Sequence, residues 1–327
     1  MAKIKPLRMI EKRTIGCSAA VLIFLSLSLL SSCVTARFTE PITSFRDCIN
    51  TSSLVIGSYY AELNKFEREI YLDERLYGST PEEMIVSLTI NGQPTGLLGP
   101  FSAESIKART DAIVLLGTYA KRLGDLAGSD APQQFSEGVN MLGDNLFNLQ
   151  KTFEKLDGKG DSSAKNYFGP IGTIINVIGN IYLSGVRETQ IKMAIEKGAP
   201  AVRNVLSLLQ KDFVDVINPL QSTGLKEKLS LRMDYYNSHL DLSFEQRKRM
   251  LAEMDAFVTR YDAAINANPA NLIQTIRDAH ESLVKYAGSS KEPQTLAEFI
   301  SALETFKNHV QEVSKAISQI RDLKKGE

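Results

Sequence analysis

The chain of 327 residues contains no tryptophan, and it has only three cysteines and three histidines. So few thiols and imidazoles leave little material for a disulfide framework or a transition-metal centre. Acidic and basic side chains are equal in number, at 38 each. There is therefore no basic excess of the kind that holds nucleic acid.

Signatures of catalysis are also missing. None of the three histidines, His239, His280 and His309, has a histidine partner four residues away or follows a glutamate by three residues. The sequence contains neither a Gly-x-Ser-x-Gly elbow nor a Walker loop. We therefore predict that the protein is not an enzyme and uses no cofactor or metal.

Two charged runs are interpreted as solvated helix surfaces. The first contains Glu69 and Asp73, one helical turn apart, with arginines interleaved. The second is the basic run 247–249, whose three charges are a weak signal for anionic lipid headgroups.

The N-terminal segment has the layout of a secretory signal. Five basic residues precede Thr14, and residues 14–36 carry no charge, with a dense apolar centre from Val21 to Leu30. The uncharged run is also about long enough to cross a bilayer as an uncleaved anchor. In either case the basic flank stays in the cytoplasm and the rest of the chain lies outside it.

Residues Leu30-Ser31-Ser32-Cys33 resemble the lipobox of bacterial lipoproteins. The resemblance implies a signal peptide over residues 1–32, lipid on Cys33 and a lipidated tether over residues 33–38. Several acyl chains would give stable attachment to a membrane. Val34 follows the cysteine, and by resemblance to enterobacterial lipoproteins this favours the outer membrane, with the body facing the periplasm. Cys48 would be the one thiol left after cleavage and lipidation, and we interpret it as a small packing residue.

Residues 39–327 are predicted to form a helical bundle domain of the all-α class. Apolar residues recur there in alternating steps of three and four, which places one apolar seam along each helix. The seams predict an elongated multi-helix bundle with coiled-coil-like packing. The three clearest stripes are Phe45, Ile49, Ser52, Ile56, Tyr59, Leu63, Phe66 and Ile70; Phe135, Val139, Leu142, Leu146, Leu149, Phe153 and Leu156; and Leu296, Phe299, Leu303, Phe306, Val310, Val313, Ile317 and Ile320.

Capping and breaking residues predict where helices begin and end. Ser102 suits the N-cap of a second helix, and Ser243 with Gln246 forms a capping box. Breaks are expected at 266–271 and 288–293, each of which contains proline.

Gly198 is expected to end one helix and Pro200 to open the next, which suggests a possible subdivision of the domain near 198–200. Pro219 is expected to kink or end the helix that follows.

One segment departs from the helical pattern. Met84, Val86, Leu88 and Ile90 alternate in polarity with their neighbours, and Asn91-Gly92 is a strong tight-turn dipeptide. We therefore predict one short irregular hairpin after the first helix.

Residues 166–186 form an uncharged run of 21 residues. Its length makes it a candidate for entering a membrane, whereas its asparagines and glycines favour a central core helix. Gly172, Asn176 and Gly179 would lie on one face and allow close approach of a neighbouring helix. Asn180 adds a second amide, and a buried amide needs a hydrogen-bond partner.

From the sequence we expect a lipid-anchored envelope protein whose helical body serves as an interaction or scaffold module. Its partners would be the membrane, through lipid on Cys33, and a protein of the envelope, and not nucleic acid. The alternative is a membrane-active helical protein that inserts residues 166–186.

Overall fold

A computed structural model shows an all-α protein. Of the residues it describes, 94% are helical and none lies in a strand. The described residues are 14–77, 85–86, 97, 101–127, 149, 151–156, 164–180, 187–289 and 293–325. Side chains are described from Thr39 onward except at 127, 164–165, 178–180, 187–188, 216–228 and 322–325.

The helices follow one another with short connections where the structure describes them. They are α1 (Thr14–Leu76), α2 (Ala103–Ala127), a 3-10 turn (Ala164–Tyr167) leading into α3 (Phe168–Asn180), α4 (Arg187–Ser238), α5 (Phe244–Ala267), α6 (Pro269–Gly288) and α7 (Pro293–Lys325). Residues 151–156 are also helical. The predicted multi-helix bundle is thus confirmed.

The predicted apolar seams of α1 and α7 form the centre of the bundle. All eight members of the α1 stripe, from Phe45 to Ile70, are buried. In α7 the seven members from Phe299 to Ile320 are buried, and Leu296 is half-buried against them. Burial of one stripe per helix is what a repeat of three and four residues requires. Three members of the remaining stripe, Leu149, Phe153 and Leu156, are also buried, and the others lie outside the described residues.

Contacts between side chains give the direction of each helix. Helices α4 and α7 run parallel to α1. Phe213 and Tyr235 of α4 contact Tyr59 and Tyr77 in turn, and Phe306 and Arg321 of α7 contact Phe45 and Glu62 in turn.

Helix α2 and the successive helices α5 and α6 run in the opposite direction. Arg260 of α5 pairs with Glu69, whereas His280 of α6 packs on Phe45 at the other end of α1. The bundle is therefore elongated along α1. From Thr39 to Leu76 that helix spans about 57 Å.

Three of the predicted helix boundaries are confirmed. Ser102 Oγ accepts a hydrogen bond from the Ser105 N–H at 3.0 Å at the start of α2. Ser243 and Gln246 form the complete capping box that opens α5. Asn268 joins α5 to α6 in a left-handed conformation, with φ at 32°, and Pro269 occupies the first turn of α6.

The predicted helix boundary at 198–200 is wrong. Helix α4 continues through Gly198 and Pro200, and it does not end at Pro219. A Cβ at Gly198 would lie 3.0–3.2 Å from atoms of the Tyr119 ring, so this glycine permits close packing of α4 on α2 rather than capping a helix. Packing on both sides of Pro200 outweighs its poor helix propensity. The subdivision of the domain near 198–200 stays a prediction.

The predicted hairpin falls almost wholly outside the described residues. Of its four alternating residues only Val86 is described. Val86 and its neighbour Ile85 have exposed side chains, and neither residue lies in a strand.

The segment 166–186 packs on the bundle in the part that is described. Tyr167, Ile171 and Ile174 are buried against the core. Among the residues that the structure describes, a Cβ at Gly172 would meet nothing within 4 Å and Asn176 is exposed, so no described helix makes the expected close contact at these two positions. Asn176 therefore needs no protein partner, since water can solvate its amide. Where the structure describes side chains, no helix is both long and apolar enough to cross a membrane.

Candidate interaction surface at the end of a helical hairpin

Helices α4 and α5 form an antiparallel hairpin that extends past the end of α1. Tyr77, just beyond α1, contacts Tyr235 with ring centroids 5.1 Å apart. The chain then reverses between Ser238 and Phe244. We call residues 233–251 the hairpin end. Its side chains are exposed or half-buried throughout, so they contribute little to the core of the bundle.

Polar and aromatic contacts hold the reversal in one conformation. Arg247 Nη2 donates a hydrogen bond to the His239 carbonyl oxygen at 3.0 Å. The Arg247 guanidinium also lies over the Tyr236 ring, 5.2 Å from its centroid. His239 stacks on Tyr235 at 3.9 Å, and the Ser243 capping box fixes the first turn of α5. The turn is therefore ordered before any partner arrives, which lowers the entropy cost of binding.

Four large apolar side chains of the hairpin end are exposed. The exposed fractions are 82% for Leu240, 74% for Phe244, 49% for Leu251 and 41% for Met233. Solvated side chains of this size contribute little to folding, and a group of them at one place is typical of a contact surface.

Helical spacing places three of the four side chains on one side of the hairpin. Seven residues are almost two helical turns, so Leu251 lies below Phe244 on α5, while Met233 lies near the end of α4 and Leu240 in the turn beyond Ser238. Because Tyr236 contacts Arg247, Leu240 lies at about the same height along the hairpin as Phe244, and Met233 at about the same height as Leu251. Helical geometry turns Met233, Phe244 and Leu251 away from the contacts of the hairpin with α1, which are made by Arg232 and Phe257. We call these four residues the apolar face.

The apolar face and the start of the body are at opposite ends of the molecule. Thr39 is the first residue of α1 whose side chain is described, whereas Asp73, close to the last turn of that helix, bonds Arg232 beneath the hairpin end at 2.5 and 2.9 Å. The length of α1 between them separates the two ends by about 50 Å.

The sequence-predicted site residues are not brought together. Cys33 belongs to helix α1, and Gly179 and Asn180 belong to the last turn of α3. The side chains of these three residues are outside the described part of the chain. Gly172 and Asn176 lie on the outer surface of α3. Cys48 is half-buried beside the core, and burial raises the pKa of its thiol.

The interpretation of Glu69 and Asp73 as a solvated face is wrong. Both carboxylates point between helices, where Glu69 bonds Arg260 at 2.9 Å and Asp73 bonds Arg232. Burial raises the pKa of Asp73, against the opposing effect of Arg232. These pairs join α1 to α5 and α4 just below the hairpin end, and so they fix its orientation.

A second polar cluster is enclosed by the bundle. Arg109 Nε bonds Asp212 Oδ2 at 2.6 Å, and the Tyr167 hydroxyl donates to the same oxygen at 2.9 Å. Arg109 is only 2% exposed. Burial raises the pKa of Tyr167 further above its ordinary value. The cluster connects α2, the 3-10 turn and α4, and its enclosure suits a structural role.

A polar cleft of about 400 Å³ lies where α5 meets α6, beside α7. Its lining includes Asn266, Asn268, Asn271, His309 and Glu312. Most of these side chains are solvated. Across the part of the chain that the structure describes, no group of three His, Cys, Asp or Glu side chains could hold a metal ion.

Sequence reasoning missed the apolar face. Helix α4 contributes only Met233, and α5 only Phe244 and Leu251, which is too short a repeat to notice beside the long core stripes. The available signal was the presence of Leu240 and Phe244 at the turn that the Ser243 capping box predicts.

Comparison of the chain with protein-family models, with curated proteins and with solved structures finds no match. The functional argument therefore depends on the chain itself.

Proposed function

We propose that this protein is a lipid-anchored protein of the bacterial envelope that acts as a helical interaction or scaffold module. Lipid on Cys33 would attach it to a membrane, for which the outer membrane is favoured, with the body facing the periplasm. The bundle would hold the apolar face at a distance from that membrane.

The observation that carries the proposal is the braced, exposed hairpin end at the opposite end of the molecule from Cys33. A rigid turn with two side chains as exposed as Leu240 and Phe244 is costly to keep in water unless a partner covers them. The helical body supplies reach, since α1 alone spans about 57 Å after Thr39.

The membrane-active alternative receives less support. Insertion of residues 166–186 would require Ile171 and Ile174 to leave the core. It would also break the bond from Tyr167 to Asp212. The Asp212 carboxylate would then lose the hydrogen bond from Tyr167 while it stays in a buried site, which is unfavourable.

Photo-cross-linking in intact cells tests the proposal. A photoreactive residue at position 240 should give adducts with a protein partner. Leu54, which is 73% exposed on α1, supplies a matched control position outside the hairpin. Adducts of equal yield at positions 240 and 54, or none at 240, would contradict an interaction role for the hairpin end.

A further inference from the structure

We propose that the partner of the apolar face is a second copy of this chain, and that two copies pair through their α4–α5 hairpins into a four-helix contact. This inference rests on the proposed function, because it takes both copies to be tethered at the same end to the same membrane.

The geometry of the face is complementary to itself. Two copies that stand on one membrane are related by a two-fold axis along the membrane normal, and hence along the bundle. That axis lays α4 of one copy against α5 of the other in antiparallel fashion. Leu240 of one copy then meets Phe244 of the other, and Met233 meets Leu251, because each pair is level within the hairpin. Such a contact is isologous and closed, so it ends at two copies.

The charges beside the face have the matching arrangement. Asp234 lies on the edge of α4 away from α5, and Lys248 lies on the side of α5 that carries Phe244 and Leu251; both are exposed. Neither belongs to an ion pair among the described residues. The two-fold axis brings Lys248 of one copy to Asp234 of the other, twice per dimer. A like-charged partner at either position would oppose pairing.

The size of the contact indicates a weak association that the membrane strengthens. The four side chains expose between 41% and 82% of their surface. Two copies would therefore bury roughly 1,000 Å² in total, at the lower limit for specific interfaces. Tethering both copies to one membrane raises their effective concentration and favours the dimer.

Energy transfer between labelled copies of the full lipidated protein in phosphatidylethanolamine–phosphatidylglycerol vesicles tests the inference. Wild type should transfer energy between copies. Asp234→Lys and Lys248→Glu should each reduce the dimer fraction at least fivefold, because each places like charges in contact. An equal mixture of the two variants should restore it, since every contact in the mixed dimer again joins opposite charges. Leu54→Ser is the control that should change nothing.

The outcomes separate this inference from the proposed function. Absence of transfer in wild type, or no recovery in the mixture, would overturn the two-fold pairing. If position 240 still gave an adduct with a different protein in cells, the interaction role would stand and only the identity of the partner would be wrong. Unchanged thermal unfolding of both charge variants would show that a lost dimer is not a lost fold.

Discussion

His280 should make the protein lose stability as the pH falls from about 6.5 to 4. Its side chain is buried among the rings of Phe45 and Tyr119, with centroids 6.2 and 5.9 Å away. Its Nε2 has no hydrogen-bond partner in the described part of the chain. Burial lowers the pKa of His280 to about 4; Glu281 opposes this shift and Arg203 adds to it.

The direction of the effect follows from linkage. The unfolded chain binds a proton at His280 below its ordinary pKa of 6.5, whereas the folded chain does so only near 4. The contribution is therefore present at neutral pH and is lost as the pH falls through this window. Relative to neutral pH, the loss of stability amounts to about 2 kcal/mol at pH 5 and about 3 kcal/mol at pH 4.

Urea unfolding of wild type and His280→Leu at pH 7 and pH 4 measures this contribution. Leucine keeps a similar volume and cannot be protonated, so the variant should lose about 3 kcal/mol less than wild type on acidification. The ion pair of Arg203 with Glu281 is common to both proteins and cancels in the comparison. Equal acid losses in the two proteins would refute the reasoning.

Two further substitutions test the packing. Phe306→Ala should lower the free energy of unfolding by about 3–5 kcal/mol, because the ring is fully buried beside Phe45. Phe244→Ala at the exposed hairpin end should lower it by under about 1 kcal/mol. Equal losses would contradict the assignment of Phe306 to the core and Phe244 to the surface. Gly198→Ala should lower the free energy of unfolding by about 1–3 kcal/mol, because the added methyl group would press on Tyr119. Gly172→Ala should raise it by about 0.5–1 kcal/mol, because the site is helical and open among the described residues. Thermal denaturation would measure both glycine variants, and a stabilised Gly198→Ala would show that α4 does not cross α2 closely.

The sequence was most informative where one pattern repeats over many turns. The stripes from Phe45 to Ile70 and from Phe299 to Ile320 predicted their own burial, because a helix that buries one side must repeat its apolar residues at helical spacing. The capping box at Ser243 was equally readable, since all of its partners lie within four residues.

Interactions between distant residues could not be predicted. Glu69 pairs with Arg260, 191 positions away, and Asp73 pairs with Arg232, 159 positions away, so no local pattern separates them from solvated charges. Gly198 followed by Pro200 looks like a helix boundary, but a glycine needed for close helix packing has the same local sequence. Exposure of Leu240 and Phe244 is likewise a property of the packed bundle and not of the residues themselves.

Metabolic labelling with an alkyne-bearing palmitate analogue tests the lipid anchor, on which the account depends, most directly. Wild type and Cys48→Ser should both incorporate the label, because Cys48 is half-buried in the body. Cys33→Ser should incorporate none, since the lipobox resemblance assigns the lipid to that residue. Labelling that persists in Cys33→Ser would contradict the account.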